Sequence, residues 1–187
     1  FIDSIKHKGI KEEKIQFFPQ WAEVVFENPP KNNENILTDL RNDSFKITFA
    51  GNIGVSQDFP SILKAAKILR NEKIDWIIIG NGRKKPWVKR KIIEWGLENC
   101  VHLLGAHPIE KMPKFFSASD CLLFSLKKED IFSITIPGKV QAYLASGKPI
   151  LAMIDGEAAK VIKDSKAGFS CPSGNPEKLV ENIKKLQ

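Results

Sequence analysis

The chain has 187 residues, 42% hydrophobic and 27% charged, with a formal net charge of +7. That length suffices for one well-buried domain, or one domain plus a fragment. No run of about 18 apolar residues occurs, which excludes a membrane-spanning helix, and the net charge implies either a lysine-rich surface or an acidic partner.

The first residue is Phe1 and no signal-peptide pattern follows, so we expect a piece cut from a longer protein. Residues 14–18 read as one short strand, followed by Pro19-Gln20-Trp21. The stretch "FENPPKNNENILTDLRND" then has the Asn, Pro and charge content of a linker or surface loop. We expect residues 1–30 to be the tail of a preceding domain and the connection from it, and residues 31–187 to be one domain.

From Phe45 onward the pattern alternates. Strand-like runs cover 46–50, 75–80, 101–104, 121–124 and 149–154, with a weaker one at 168–171. The first four are continuous apolar stretches, as expected for strands covered on both faces. Between and after them, helical patterns cover 61–71, 87–96, 109–118, 139–146, 157–165 and 176–186. Ile62, Ala65, Ala66 and Leu69 recur at spacings of three or four, which gives one apolar helical face. Six strands alternating with six helices predict an α/β fold: a Rossmann-like open parallel sheet with helices on both faces.

Cys100, Cys121 and Cys171 are far apart and have no Cys-x-x-Cys spacing, which argues against a zinc site or a disulfide framework and for reduced, cytosolic thiols. His7, His102 and His107 form no metal-ligand pattern. His102 sits in an apolar run and reads as structural.

In open parallel sheets, ligands bind beyond the carboxyl ends of the strands. Three such ends carry special residues here. The first is Gly51-Asn52-Ile53-Gly54, the second Gly80-Asn81-Gly82-Arg83-Lys84, and the third Ile136-Pro137-Gly138-Lys139, which opens a helix. Glycines let the backbone approach an oxygen-rich ligand, and amides at a helix start attract anions. Pro137 suits a first helical turn. Lys139 lies in that turn, where a cation is unfavourable unless an anion sits nearby. Ordinary turns and a solvated basic helix explain the same residues without a ligand. Neither a Walker motif nor a full Gly-x-Gly-x-x-Gly is present, which argues against a nicotinamide dehydrogenase. The basic run from Arg83 to Lys91 reads as a solvated face, so no nucleic-acid partner is expected. The aromatic residues Trp87 and Trp95 belong to the helical pattern there.

Taken together, "EEKIQFFPQWAEVVFENP", "ITFAGNIGVSQDFPSILKAAKIL", "WIIIGNGRKKPWVKRKIIEWGLENCVHLLGAHPIEKMPKFFSASDCLLF", "PGKVQAYLASGKPILAMIDGEAAKVI" and "AGFSCPSGNPEKLVENI" resemble the nucleotide-sugar-binding, C-terminal half of GT-B glycosyltransferases of family 4, or group 1. The resemblance runs from about Lys14 to Lys185. Its wording is similar to transferases of bacterial surface polysaccharides that move N-acetylated aminosugars of the N-acetyl-fucosamine type from UDP.

This resemblance implies a domain that binds a nucleotide-diphosphate sugar and needs no cofactor and no metal. The acceptor would belong to a further N-terminal domain and be lipid-linked at the inner membrane surface. The protein would be cytoplasmic or peripheral at that membrane, and this chain alone inactive. Facing the donor diphosphate, the resemblance places Gly51, Asn52, Ile53, Gly54, Gln57, Gly82, Arg83, Lys84, Pro137, Gly138 and Lys139. Beside the base it places Leu103, Leu104 and Gly105. Where many relatives carry Arg and Lys phosphate clamps, this chain has the neutral Asn52 and Gln57. Where they carry two glutamates eight residues apart, it has Ile134 and Ala142. The ribose contact then falls to Gln141 or Glu129. A Rossmann-like interaction module without donor binding is the alternative reading.

Overall fold

A computed structural model describes residues 2–27, 36–37 and 40–187 of the chain. Helix α1 spans Ile2–His7 and buries no residue. The alternating elements begin with β1 (Phe45–Ala50) and α2 (Phe59–Ile68), then β2 (Ile74–Ile79) and α3 (Lys85–Glu94). It continues with β3 (Val101–Gly105), α4 (Met112–Ser117), β4 (Cys121–Ser125), α5 (Asp130–Ser133) and α6 (Lys139–Ala145). It ends with β5 (Ile150–Met153), α7 (Glu157–Asp164), β6 (Gly168–Cys171) and α8 (Pro176–Leu186).

The six strands form one parallel sheet in the order β3-β2-β1-β4-β5-β6. Alternate side chains feed two cores. On one face Ile47, Phe49, Trp76, Ile78 and Leu123 pack with Ile62, Leu63, Val88, Leu179 and Ile183 from α2, α3 and α8. On the other, Ile77, Ile79, Leu122, Phe124 and Ala152 pack with Phe115, Val140, Tyr143, Ala158 and Ile162 from α4, α6 and α7. All six residues of β2 are buried, which accounts for a run that is apolar apart from Asp75. Truncating a fully buried Ile62 or Leu63 to Ala costs about 2–5 kcal/mol. Two helices carry side-chain caps: the Asp58 carboxylate accepts from Ser61 N–H at 3.3 Å, and Asn175 Oδ1 accepts from Lys178 N–H at 2.8 Å. Both have proline in the first turn.

The expected open parallel sheet with helices on both faces is therefore the observed one. The chain steps outward from β1 through β2 to β3. It then returns to the other side of β1 and steps outward again through β4, β5 and β6. The strand order thus reverses between β1 and β4, the switch point at which ligands bind in such sheets. The loops after these two strands part there and meet again farther out, where Lys127 N–H donates to Ser56 O at 2.9 Å.

The expected strand over 14–18 does not form. A 3-10 turn occupies Glu12–Lys14, and the chain then runs without regular structure as far as residue 23. Its β-prone residues find no strand to pair with, and Phe17 and Phe18 remain 79% and 75% exposed. The expected helix over 109–118 divides into a 3-10 turn at Ile109–Lys111 and α4. Pro113 is a first-turn residue of α4, where its missing N–H needs no partner. Of the expected linker, 28–35 and 38–39 lie outside the described residues.

Candidate functional site

The switch-point crevice begins where β1 and β4 stop pairing. Their ladder holds at Ile47↔Cys121 and Thr48↔Leu122 and goes no further. On the β2 side pairing continues through Ala50↔Ile79. Gly51 then turns with φ +139°, a region that L side chains rarely adopt. Gly80, with φ +142°, approaches so closely that a Cβ there would overlap the Gly51 carbonyl. The two glycine turns are thereby joined backbone to backbone. Gly51 N–H donates to Ile79 O at 2.9 Å, Ile53 N–H to Asn81 O at 2.8 Å, and Lys84 N–H to Ile53 O at 2.9 Å.

This locking qualifies the expectation of a cradle of open amides. Gly51 and Ile53 spend their N–H groups on the β2 loop, and Gly54 N–H donates to Gln57 Oε1 at 3.1 Å. Of the turn's amides from Gly51 to Gly54, Asn52 N–H is the one that meets no acceptor among the described residues. The Asn52 side chain folds back over Gly54. Gln57 thus braces the turn from within.

The third expected element reaches the same place. Lys139 rises from the first turn of α6, and its Nζ lies 2.9 Å from where a Cβ on Gly51 would stand. That nitrogen is buried and, among the described residues, has no hydrogen-bond partner. It stacks over the rings of Phe49 and Phe124, 4.4 and 5.8 Å from their centroids. These cation–π contacts soften the desolvation without replacing an anion. Burial pushes the Lys139 ammonium down to about 8.

The remaining expected residues surround this group at different depths. Gly138 is the N-cap of α6, after Pro137, and the Gln20 side chain rests against it, Nε2 2.6 Å from where a Cβ would stand. Gln141 turns inward: its side-chain NH2, oriented to face acceptors, donates to Gly138 O at 2.9 Å and Pro137 O at 3.0 Å. Gly82 packs against the Asn52 side chain and the Ile53 carbonyl, and Arg83 is exposed. Lys84 shares a small cavity of about 50 Å³ with Val55, Phe59, Trp87 and Lys127. Leu103, Leu104 and Gly105 end the edge strand β3, where Gly105 O accepts from Gly80 N–H at 2.7 Å. Glu129 lines a separate cleft of about 140 Å³ beyond β4 and β5, with Lys127, Asp155 and Ser173. Ile134 is exposed, whereas Ala142 faces the core.

Two residues at the crevice escaped the sequence reading. Tyr143 is fully buried between β1 and β4, and its hydroxyl contacts both strands. Ser125, the last residue of β4, has a buried Oγ with no partner. The signal for Tyr143 was its being the single tyrosine of the chain, on an apolar helix face. Among the described residues, no three His, Cys, Asp or Glu side chains group to hold a metal ion. Cys100, Cys121 and Cys171 are buried free thiols.

A doubly wound parallel sheet with a glycine turn and a buried lysine at its switch point defines a Rossmann-like α/β domain. The chain belongs to the glycosyl transferases group 1, whose family model matches residues 44–187. It is 28% identical, over 97% of its length, to a probable glycosyltransferase, WbjE, of Pseudomonas aeruginosa, and covers 46% of that relative. It is also 28% identical, over 75% of its length, to a putative colanic acid biosynthesis glycosyl transferase, WcaI, of Escherichia coli K12, covering 35% of it. The chain thus spans half or less of these relatives. Among solved structures it superposes with a TM-score of 0.80 on WaaG, a glycosyltransferase involved in lipopolysaccharide biosynthesis, at 16% identity. That match covers 98% of this chain and 50% of WaaG. The Anabaena Alr3699/HepE structure in complex with UDP-glucose gives 0.79 at 17% identity, again over 98% of this chain and 50% of the other. The architecture is that of one half of a GT-B fold.

Proposed function

We propose that this chain binds the nucleotide-diphosphate part of an activated sugar, UDP-linked, in the switch-point crevice. The whole protein would transfer that sugar to an acceptor hydroxyl in bacterial polysaccharide or lipopolysaccharide biosynthesis. One observation carries the reading: a desolvated ammonium, Lys139 Nζ, stands without an acceptor over the Gly51 turn. A buried charge is kept unpaired only where something else supplies its counter-charge, and a diphosphate does so.

The layout supports the same ligand. Neighbouring strands lie about 4.8 Å apart, so the end of β3 stands roughly 10 Å from β1. A nucleotide with its diphosphate at Gly51 and Lys139 would extend across the β2 turn toward Leu103–Gly105. UDP is the nucleotide in the related HepE structures. The TarM structure of S. aureus holds UDP with alpha-GlcNAc-glycerol, which makes N-acetylaminosugar donors the first to try.

In the transfer, the bond from the sugar to the diphosphate breaks and negative charge develops on the departing oxygen. Lys139, a charge already in place in a water-poor crevice, would stabilise it without reorganisation. The amide of Asn52 and the exposed Arg83 add donors at the rim. The acceptor side would come from a further N-terminal domain. Exposed apolar side chains support the docking of such a domain: Phe17, Phe18, Trp21 and Val24 in the segment before β1, and Val55, Ile131, Ile134 and Ile136 in the connections after β1 and β4. Residues 1–30 would belong to that connection.

The neutral Asn52 and Gln57, with the engaged amides of Gly51 and Ile53, favour the second reading, an interaction module without a donor. Isothermal titration of the 187-residue chain with UDP, UDP-GlcNAc and GDP-mannose separates the two. Binding of a uridine nucleotide below millimolar concentration is expected; no heat with any of the three at millimolar concentration leaves the second reading.

A further inference from the structure

We infer that Tyr143 is a positioning residue: its hydroxyl wedges the ends of β1 and β4 apart and seats Lys139 over the Gly51 turn. The functional consequence rests on the nucleotide reading above, whereas the positioning itself does not.

Successive amides of a strand point to opposite neighbours. Gly51 N–H points to β2, where it meets Ile79 O, so Ala50 N–H points to β4. No β4 acceptor meets it, because the ladder has ended at Thr48↔Leu122. Tyr143 Oη takes that place and accepts from Ala50 N–H at 3.0 Å. The same oxygen lies 3.3 Å from both Ala50 O and Leu123 O, so its one proton is donated to a carbonyl of β1 or of β4. A phenol has replaced a rung of the sheet. Two strands bridged through a side chain cannot close to ladder distance, so β1 and β4 part at Ala50 and Leu123.

The phenol in turn fixes the helix that carries it. Its ring meets Phe116 of α4 edge-on, centroids 5.3 Å apart at 88°. Lys139 lies four residues before Tyr143, on the same face of α6 and one turn nearer the crevice. A hydrogen bond from Tyr143 to the strands therefore sets where the first turn of α6 stands, and with it the Nζ above Phe49 and Gly51. No ion pair or hydrogen bond holds that nitrogen, so the helix position has to.

The test is Tyr143→Phe, which keeps the ring and removes the oxygen. In protein carrying ¹³C at lysine Cε, NMR follows the Lys139 titration in the absence of nucleotide. The parent midpoint near 8 is expected to move toward the ordinary lysine value of about 10.4 in the variant, as the ammonium escapes to solvent. UDP affinity is expected to fall about tenfold, the size of one lost buried hydrogen bond. A midpoint unmoved by the substitution overturns the inference, even if the variant melts at a lower temperature, since a merely structural tyrosine would do that. If the parent binds no UDP, the nucleotide reading fails while the titration still decides the role of Tyr143. If the Phe variant does not fold, amide exchange of the parent decides. Ala50 N–H should be protected as strongly as the paired amide of Thr48, and rapid exchange at Ala50 contradicts the bridge.

Discussion

The two ends of the sheet treat buried charge in opposite ways. At the amino end, Asp75 of β2 is 1% exposed and its carboxylate is fully attended. Arg41 Nη2 donates to it at 2.8 Å, Ser44 Oγ donates to it, and His102 Nε2 lies 3.0 Å away. Burial alone would raise this carboxyl, but the bonds from Arg41, Ser44 and His102 together hold it below the usual carboxylate range. At the carboxyl end, the Lys139 ammonium has no partner, only ring faces. The satisfied network ties the segment entering the domain to the sheet. The unsatisfied one adds nothing to folding, and the domain tolerates it where an anion would bind. Stability and binding are thus expected to separate between the two ends.

The largest test of that separation is Asp75→Ala. It strips three donors of their acceptor, and we expect a loss of about 3 kcal/mol in urea unfolding, at the lower end for a broken buried pair because Arg41 can still reach water. UDP affinity should not change. Equal losses of stability and affinity would break the comparison. Lys139→Met should act in the reverse sense. Removing a desolvated charge is expected to raise stability by about 1–2 kcal/mol, while UDP affinity falls about 30-fold with the loss of a charge-assisted contact.

The pH dependence sharpens the contrast. The Asp75 carboxyl is lowered in the folded state, so its stabilisation is fully present above its unfolded value, about 3.9, and is lost as pH falls through its lower folded value. The Lys139 ammonium is also lowered, and the pH slope has the same sign, although here a destabilising charge is relieved instead of a stabilising one being gained. Above about 8 the folded chain has released a proton that the unfolded chain keeps up to its ordinary value, so this group makes stability rise with pH through that window. UDP binding should weaken over the same window, because the ammonium must be recharged to meet the diphosphate. Titration calorimetry from pH 7 to 9.5 reads this directly, and a flat profile would remove Lys139 from the site. The smallest effect is expected for Arg83→Ala. This side chain is exposed and solvent-screened, so its loss should weaken UDP binding no more than about threefold.

Much of this was legible in the residues. Largely apolar runs gave β1 to β4, and threefold and fourfold spacings gave the helices, because burial on two faces or on one leaves a local pattern. The glycine turns and a lysine in the first turn of α6 were visible for the same reason. What stayed hidden depends on which strand lies beside which. The amides of Gly51 and Ile53 look open until β2 is placed next to them and its carbonyls take them. Tyr143 looks like any core aromatic until β1 and β4, more than 70 residues apart in sequence, become neighbours and part at its hydroxyl. The strand expected at 14–18 failed for the converse reason: local propensity was present, and a partner was not.

If the missing partner of Lys139 is a phosphate, bound UDP has to change how its ammonium titrates. Following the ¹³Cε resonance of Lys139 through a pH titration with and without saturating UDP tests it most directly. A midpoint near 8 is expected in the free protein, rising by at least about one unit when UDP binds, since an adjacent anion favours the charged form. A midpoint that stays in place while UDP demonstrably binds would contradict it.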